Sequence, residues 1–260
     1  MSHFLLSLPA APAILIAAAV AAIAVGLSKG GLPVVGMLGV PVLALTMPPF
    51  TAAALLLPIY VLTDWFGLWI YRHRFDRRNL AILIPASIAG VGVGWATASM
   101  VSERWVTLAI GLLGLAYCAD AWRKEIGRRR GRETPPRPAD VPRGIFWGLV
   151  TGFTSFVSHS GGPPFQIYVL PQKLDKLAFA GTATILFAIV NAVKLVPYWV
   201  LGQLSFANLE VAAVLVPFGI VGTFAGAKLV RVLPQATFFR LVELALFLVS
   251  AKLVWDSAIG

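Results

Sequence analysis

The sequence predicts an all-α polytopic membrane protein of two inverted-topology repeats, each a broken helix pair plus three transmembrane helices. Three observations lead there. The chain is 58% hydrophobic and only 12% charged over 260 residues, with mean hydropathy +0.84, whereas soluble domains carry about 25% charged residues. Several apolar runs reach the roughly 20 residues that cross a hydrocarbon core. Two stretches also share one grammar: VGLSKGGLPVVGMLGVP from Val25 and TGFTSFVSHSGGPPFQIYVLP from Thr151. In each, an apolar run meets polar residues, then Gly-Gly, then proline, then a short apolar run ending at another proline. Gly30-Gly31 and Gly161-Gly162 lie 131 residues apart, about half the chain.

Taken in order, the apolar run at 10–27 has neither a basic leader nor a small-residue cleavage site, so a retained helix is expected rather than a signal peptide. The first broken pair covers 13–29 and 33–47, and spans are expected at 48–71, 79–100 and 104–122. An Arg- and Pro-rich linker follows at 123–142. Its composition cannot bury a core, and it is expected to be mobile and close to anionic headgroups. The second broken pair covers 144–160 and 163–170, followed by spans at 176–201, 207–230 and 235–255. The repeats are therefore placed at 1–122 and 143–260, on either side of the linker.

Lysine and arginine placement orients these spans. Arg72, Arg74, Arg77, Arg78, the linker bases, Lys173, Lys176, Lys228, Arg231 and Arg240 fall on one side, and only Arg104 and Lys252 on the other. The basic side is the cytoplasmic one, which puts the linker inside and both termini outside. The first half then begins outside and the second begins inside, so the halves are inverted, as in many secondary transporters. Segments 33–47 and 163–170, at 15 and 8 residues, are short for a crossing at 1.5 Å per residue and read as re-entrant.

The breaks are the first candidates for chemistry. Glycines followed by proline release backbone polar groups at membrane depth, tolerated only where protein or a wet cavity satisfies them. Helices restarting at Pro33 and Pro163 would turn their N-termini toward the breaks, and such ends attract anions. The alternative is that these glycines serve close helix packing. Ionisable residues inside spans come next, being costly there unless functional. Ser28 and Lys29 adjoin Gly30 and Gly31; Ser158, His159 and Ser160 adjoin Gly161 and Gly162. Asn191 and Lys194 share one helix face. Sliding the first half by about 130 residues superposes Asp64 on Lys194. Asp64 could serve as counter-ion to Lys29 or Lys194, or pair with Arg72 or Arg74. His159 could bind substrate or relay a proton; Gln166 and Thr182 are weaker candidates. The expected substrate-binding set is Ser28, Lys29, Gly30, Gly31, Ser158, His159, Ser160, Gly161, Gly162, Asn191 and Lys194, near the bilayer midplane between the broken pairs. Asp64 and His159 are the expected coupling or counter-ion groups.

Other classes are disfavoured. The sequence holds no Walker loop, H-E-x-x-H, G-x-S-x-G elbow or carboxylate-rich cluster, so no catalytic residues, metal or cofactor are expected. Cys118 is the one cysteine and lies in an apolar run. The net charge of +10 reflects cytoplasmic-side bases rather than nucleic-acid binding. Trp69, Trp105, Trp122, Trp199 and Trp255 read as interfacial anchors.

GLSKGGLPVVGMLGVPVLAL, together with GFTSFVSHSGGPPFQIYVLP and the following AFAGTATILFAIVN, resembles the TauE/SafE family of sulfite and organosulfonate exporters over essentially the whole chain. The A-x-G-T-type stretch of that family is matched at Ala180-Gly181-Thr182. Thr51-Ala52-Ala53-Ala54 stands where the family usually has a G-T-S-type stretch, and Ser158-His159-Ser160 is a further departure. The resemblance implies export or exchange of small sulfur-containing anions, and the inner membrane is the expected location. The partners expected are a small anion, the bilayer and a second copy of the chain. A cation-coupled carrier or channel using Asp64, or a non-transporting membrane subunit or enzyme, are the alternatives.

Overall fold

The computed structural model describes residues 12–36, 38–44, 49–98, 100, 102–129, 135–202 and 206–259. All regular structure among them is helical: α1 (Pro12–Lys29), α2 (Pro33–Gly36), α3 (Gly39–Ala44), α4 (Pro49–Tyr71), α5 (Arg77–Ala96), α6 (Glu103–Arg129), α7 (Val141–Ser158), α8 (Gly162–Val169), a 3-10 turn (Leu170–Gln172), α9 (Lys176–Val200), α10 (Phe206–Val232) and α11 (Gln235–Ile259). Residues 37 and 45–47 of the first broken pair, and residue 48 at the start of the next expected span, lie outside the described residues. Among the described residues, four helical stretches are long and apolar enough to cross a membrane: Arg77–Ala96, Arg104–Gly127, Lys176–Val200 and Leu209–Val232. Ile14–Lys29 and Leu55–Tyr71 are shorter apolar helices. The last expected span forms as α11, but Arg240, Glu243, Lys252 and Asp256 lower its hydropathy. Two of these charges pair one turn apart, Lys252 Nζ to Asp256 Oδ2 at 2.8 Å.

The helices gather into two compact units, one from Met1–Asp76 and Leu177–Leu233, the other from Arg77–Lys176 and Pro234–Gly260. Each therefore draws on both halves of the sequence.

In the first unit α1 packs on α10 at backbone distance. A Cβ on Gly26 would lie 1.9 Å from the Gly219 carbonyl oxygen, and one on Gly30 would lie 2.4 Å from that of Thr223. Across the same seam, a Cβ on Gly226 would come 2.7 Å from the Leu27 oxygen. Small residues at this spacing let helices approach closely without help from the hydrophobic effect between them. Ala21, Ala22, Val25, Leu43, Leu56, Ile59 and Ala212 fill the adjoining core. After the first break the chain folds back along α1: Gly36 lies against Ser28, and Gly39 against Val25. The expected segment 33–47 is thus not one helix but two short ones, α2 of four residues and α3 of six.

The second unit repeats the device. A Cβ on Gly152 of α7 would lie 1.9 Å from the Ser87 oxygen of α5, and one on Gly90 would lie 2.2 Å from that of Leu149. Here too the break makes an antiparallel hairpin, because Tyr168 of α8 reaches back to donate to the Asp140 oxygen at 2.9 Å, beside Gly144. Asn79 and Gln172 exchange both amide hydrogen bonds, at 2.8 and 3.0 Å, in a buried pair.

The linker differs from expectation at both ends. Residues 123–129 continue α6 as helix, since Arg, Lys and Glu are good helix formers once the chain leaves the apolar span, and Lys124 pairs with Asp120 one turn earlier. Residues 137–140 are tied down rather than mobile. The Arg137 N–H donates to the Pro171 oxygen at 3.0 Å, and Arg78 Nε to the Ala139 oxygen at 3.0 Å. Asp140 then caps α7 by accepting the Arg143 N–H at 2.8 Å.

Candidate functional site

Among the described residues, the charges buried in the first unit gather in one cluster. Lys29 is the last residue of α1, where the carbonyl end of the helix favours a cation. Its Nζ lies 2.7 Å from Asp64 Oδ1 on α4, both side chains being at most 5% exposed. Asn191 of α9 donates from Nδ2 to Asp64 Oδ2 at 2.9 Å. Lys194, one turn further along α9, is 1% exposed and lies within electrostatic reach of Lys29 and Asp64. The Lys29 ammonium also stands 4.9 Å from the centre of the Tyr60 ring, a cation–π distance. Asp64 thus pairs with Lys29 rather than with Arg72 or Arg74.

Protein hydrogen bonds close the first break around this cluster. Tyr71 Oη donates to the Gly30 oxygen at 2.6 Å, and Thr184 Oγ1 to the Lys29 oxygen at 3.3 Å. The N–H groups of Gly30, Gly31 and Leu32 bond back to Gly26, Ser28 and Leu27. Gly31 sits at φ 108, open to glycine alone without strain, and a Cβ there would meet Tyr71 Oη at 2.5 Å. Ser28 Oγ donates to the Val25 oxygen at 2.6 Å. The expected helix N-terminus at Pro33 amounts to four residues, so Ser28, Gly30 and Gly31 shape the break while Lys29 supplies its charge. Ala180-Gly181-Thr182 proves to be a docking surface: Gly181 admits the Arg74 carbonyl, 1.8 Å from where a Cβ would stand. Thr182 Oγ1 accepts the Asp76 N–H at 2.8 Å.

The second break belongs to the other unit. Here α7 stops because His159 turns left-handed, at φ 53, with its N–H on the Thr154 oxygen. The two glycines follow that stop rather than cause it. Ser158 Oγ donates to the Thr154 oxygen at 3.3 Å and Ser160 Oγ to the Ser158 oxygen at 3.0 Å. Both hydroxyls keep only their lone pairs for another group. Helix α8 starts at Gly162 with Pro163 and Pro164 in its first turn. Neither proline has an N–H, so Gly161 and Gly162 carry the backbone donors of this helix end. Gln166, buried one turn further on, has neither amide atom paired among the described residues, and Thr151 Oγ1 on α7 is likewise unpaired.

A family model described as Sulfite exporter TauE/SafE matches residues 10–253. The chain belongs to the TauE/SafE family. It is thereby a multi-pass membrane protein of the sulfite-exporter type, in a family of transporters rather than enzymes. No curated protein and no solved structure matches it significantly. Within this TauE/SafE chain the structure unites Lys29, Asp64, Asn191 and Lys194, whereas Ser158, His159, Ser160, Gly161 and Gly162 form a separate group in the second unit. Tyr60, Tyr71 and Thr184 went unremarked in the sequence. Tyr60 stands four residues before Asp64, a spacing that shares a helix face and could have marked it.

Proposed function

We propose that this TauE/SafE chain is a secondary transporter that exports a small anion, sulfite or an organosulfonate, across the inner membrane, with Lys29 and Lys194 supplying the charge that holds it. One observation carries the reading: the described buried charges of the first unit are two ammoniums, Lys29 and Lys194, against one carboxylate, Asp64. Two ammoniums near one carboxylate give this interior a positive potential, which attracts a small anion. Asp64 holds Lys29 in place between substrates, and Asn191 fixes Asp64. In the second unit, Ser158, His159, Ser160, Gly161 and Gly162 are proposed as a substrate-contacting group of their own, with His159 as a hydrogen-bond or proton donor. Asp64 is disfavoured as a sodium site, because an ammonium and an amide already engage its two oxygens.

The same reading takes the hairpins as re-entrant, the basic linker as cytoplasmic and both termini as external. It takes residues 1–122 and 143–260 as inverted repeats. Support comes from the shared packing pattern, in which each broken helix, α1 or α7, seats its glycines on a helix of the opposite half, α10 or α5.

The test is a thermal-stabilisation screen of the purified protein against sulfite, sulfate, taurine, isethionate, sulfoacetate and simple carboxylates. Sulfur oxyanions are expected to stabilise the native chain, by about 2.7 kcal/mol at a hundred times Kd. Lys29→Ala and Lys194→Ala are each expected to abolish that response in protein that still folds. Unchanged affinity in both variants overturns the reading.

A further inference from the structure

Gln166 is fully buried, at 0% exposure, yet neither Nε2 nor Oε1 meets a hydrogen-bonding group among the described residues. Leaving a buried amide unpaired is strongly unfavourable, so a native Gln in this state marks a position where something else completes it. Its direction is set by helix geometry. Side chains lean toward the N-terminus of their helix and cover the turn before them. Gln166 therefore rises over Gly162, four residues earlier, which has no side chain to fill the space. The amide thus reaches toward the second break. A row of hydroxyls leads to the same place along α7, since Thr151, Ser155 and Ser158 recur at helical spacing on one face. Of these, Thr151 is 0% and Ser155 4% exposed, and Thr151 Oγ1 lacks a partner among the described residues.

An amide offers a donor and an acceptor side by side. A bare oxyanion can satisfy Nε2 but not Oε1, and interchanging the two atoms changes nothing, because both are unpaired. We infer that Gln166 is a specificity-determining residue of the second break, which recognises a sulfur oxyanion that also carries a hydrogen-bond donor, a hydroxyl or an ammonium group. Nε2 donates to a sulfonate or sulfite oxygen, and Oε1 accepts from the donor of the same molecule. The inference rests on the anion-transport reading and sharpens its substrate class. A site built to hydrogen-bond a substrate O–H or N–H discriminates strongly against the analogue that lacks it, because its own polar atom is then left unpaired.

The experiment pairs 2-hydroxyethanesulfonate with ethanesulfonate, which differ by that hydroxyl, in thermal-shift titrations of the full-length native protein and of Gln166→Met. The native protein is expected to bind the hydroxylated anion at least about tenfold more tightly. Gln166→Met is expected to bind both alike. Without ligand, Gln166→Met is expected to melt about 2–8 °C higher than the native chain, since it removes an unpaired buried amide. A structural glutamine held by buried water would behave in the opposite sense, melting lower. Equal native affinities, discrimination that survives the substitution, a ligand-free melting point that falls, or a variant that does not fold would each overturn the inference. Lys29→Ala is titrated alongside. If it loses response to sulfite while neither sulfonate separates native protein from Gln166→Met, the role of Gln166 fails and the anion site stands. If Lys29→Ala and Lys194→Ala both keep native affinity, the anion reading itself has failed.

Discussion

Replacing Lys29 and Asp64 singly and together separates what the buried pair does for stability from what it does for binding. The pair is 2.7 Å apart and at most 5% exposed, so the modest value of a surface salt bridge does not apply. Lys29→Met leaves the Asp64 carboxylate buried with Asn191 and the nearby Lys194. Asp64→Leu leaves two ammoniums and no carboxylate. Breaking a buried pair from one side costs about 3–5 kcal/mol, whereas an apolar pair of similar volume is often neutral or stabilising. Each single variant is therefore expected to melt about 6–20 °C lower, at roughly 2–4 °C per kcal/mol, and the double variant within a few degrees of the native chain. Anion binding follows a different order. Losing the Lys29 ammonium removes a charged hydrogen bond of about 1.5–3 kcal/mol together with one of the two cations that hold the anion, so the binding response is lost. The double variant is thus stable but impaired. Differential scanning fluorimetry in detergent, with and without sulfite, reads both quantities. Single variants that lose under about 1 kcal/mol, or a double variant with native affinity, would refute the reasoning.

Three further outcomes follow from packing and topology. Gly26→Ala and Gly152→Ala each set a Cβ 1.9 Å from a backbone oxygen of a neighbouring helix, so each should cost at least about 1–3 kcal/mol as overpacking. Gly92→Ala meets nothing within 4 Å and should be neutral, or stabilising by about 0.5–1 kcal/mol; thermal melts compare all three. Tyr71→Phe removes the donor on the Gly30 oxygen and should cost about 1–3 kcal/mol if no water replaces it, read in the same melts. In a Cys118→Ser background, Arg137→Cys should react with a membrane-impermeant maleimide only in inside-out vesicles, and Ser102→Cys only in right-side-out ones. The reverse pattern would invert the topology.

The breaks were legible because glycine pairs followed by proline inside apolar runs have few other meanings. The Lys29–Asp64–Asn191 cluster was partly legible: intramembrane charges demand partners, and the internal offset put Asp64 and Lys194 at equivalent places. Which carboxylate met which lysine was not, because the contact joins α1, α4 and α9 across long stretches of chain. The bonding of the serines was not legible, for a local reason. Ser28, Ser158 and Ser160 turn their hydroxyls onto backbone carbonyls of their own segments, a competition that composition does not reveal. The linker was misread because an Arg-rich stretch after a span can be solvated coil or continuing helix, and helix propensity decided for the latter through Arg129. Gly30 showed that its two readings, site and packing, are compatible, since it seats α1 on α10 while Tyr71 closes its carbonyl.

The central claim is that a sulfur oxyanion is moved across the bilayer on the charge of Lys29 and Lys194. Counterflow of labelled sulfite in proteoliposomes tests it most directly. Internal unlabelled sulfite should drive uptake of external label by the native protein. Lys29→Ala and Lys194→Ala, reconstituted to the same level and shown to be folded, should not exceed empty liposomes. Native-level counterflow in either variant, or none in the native protein with sulfite or any sulfonate that stabilises it, would contradict the account.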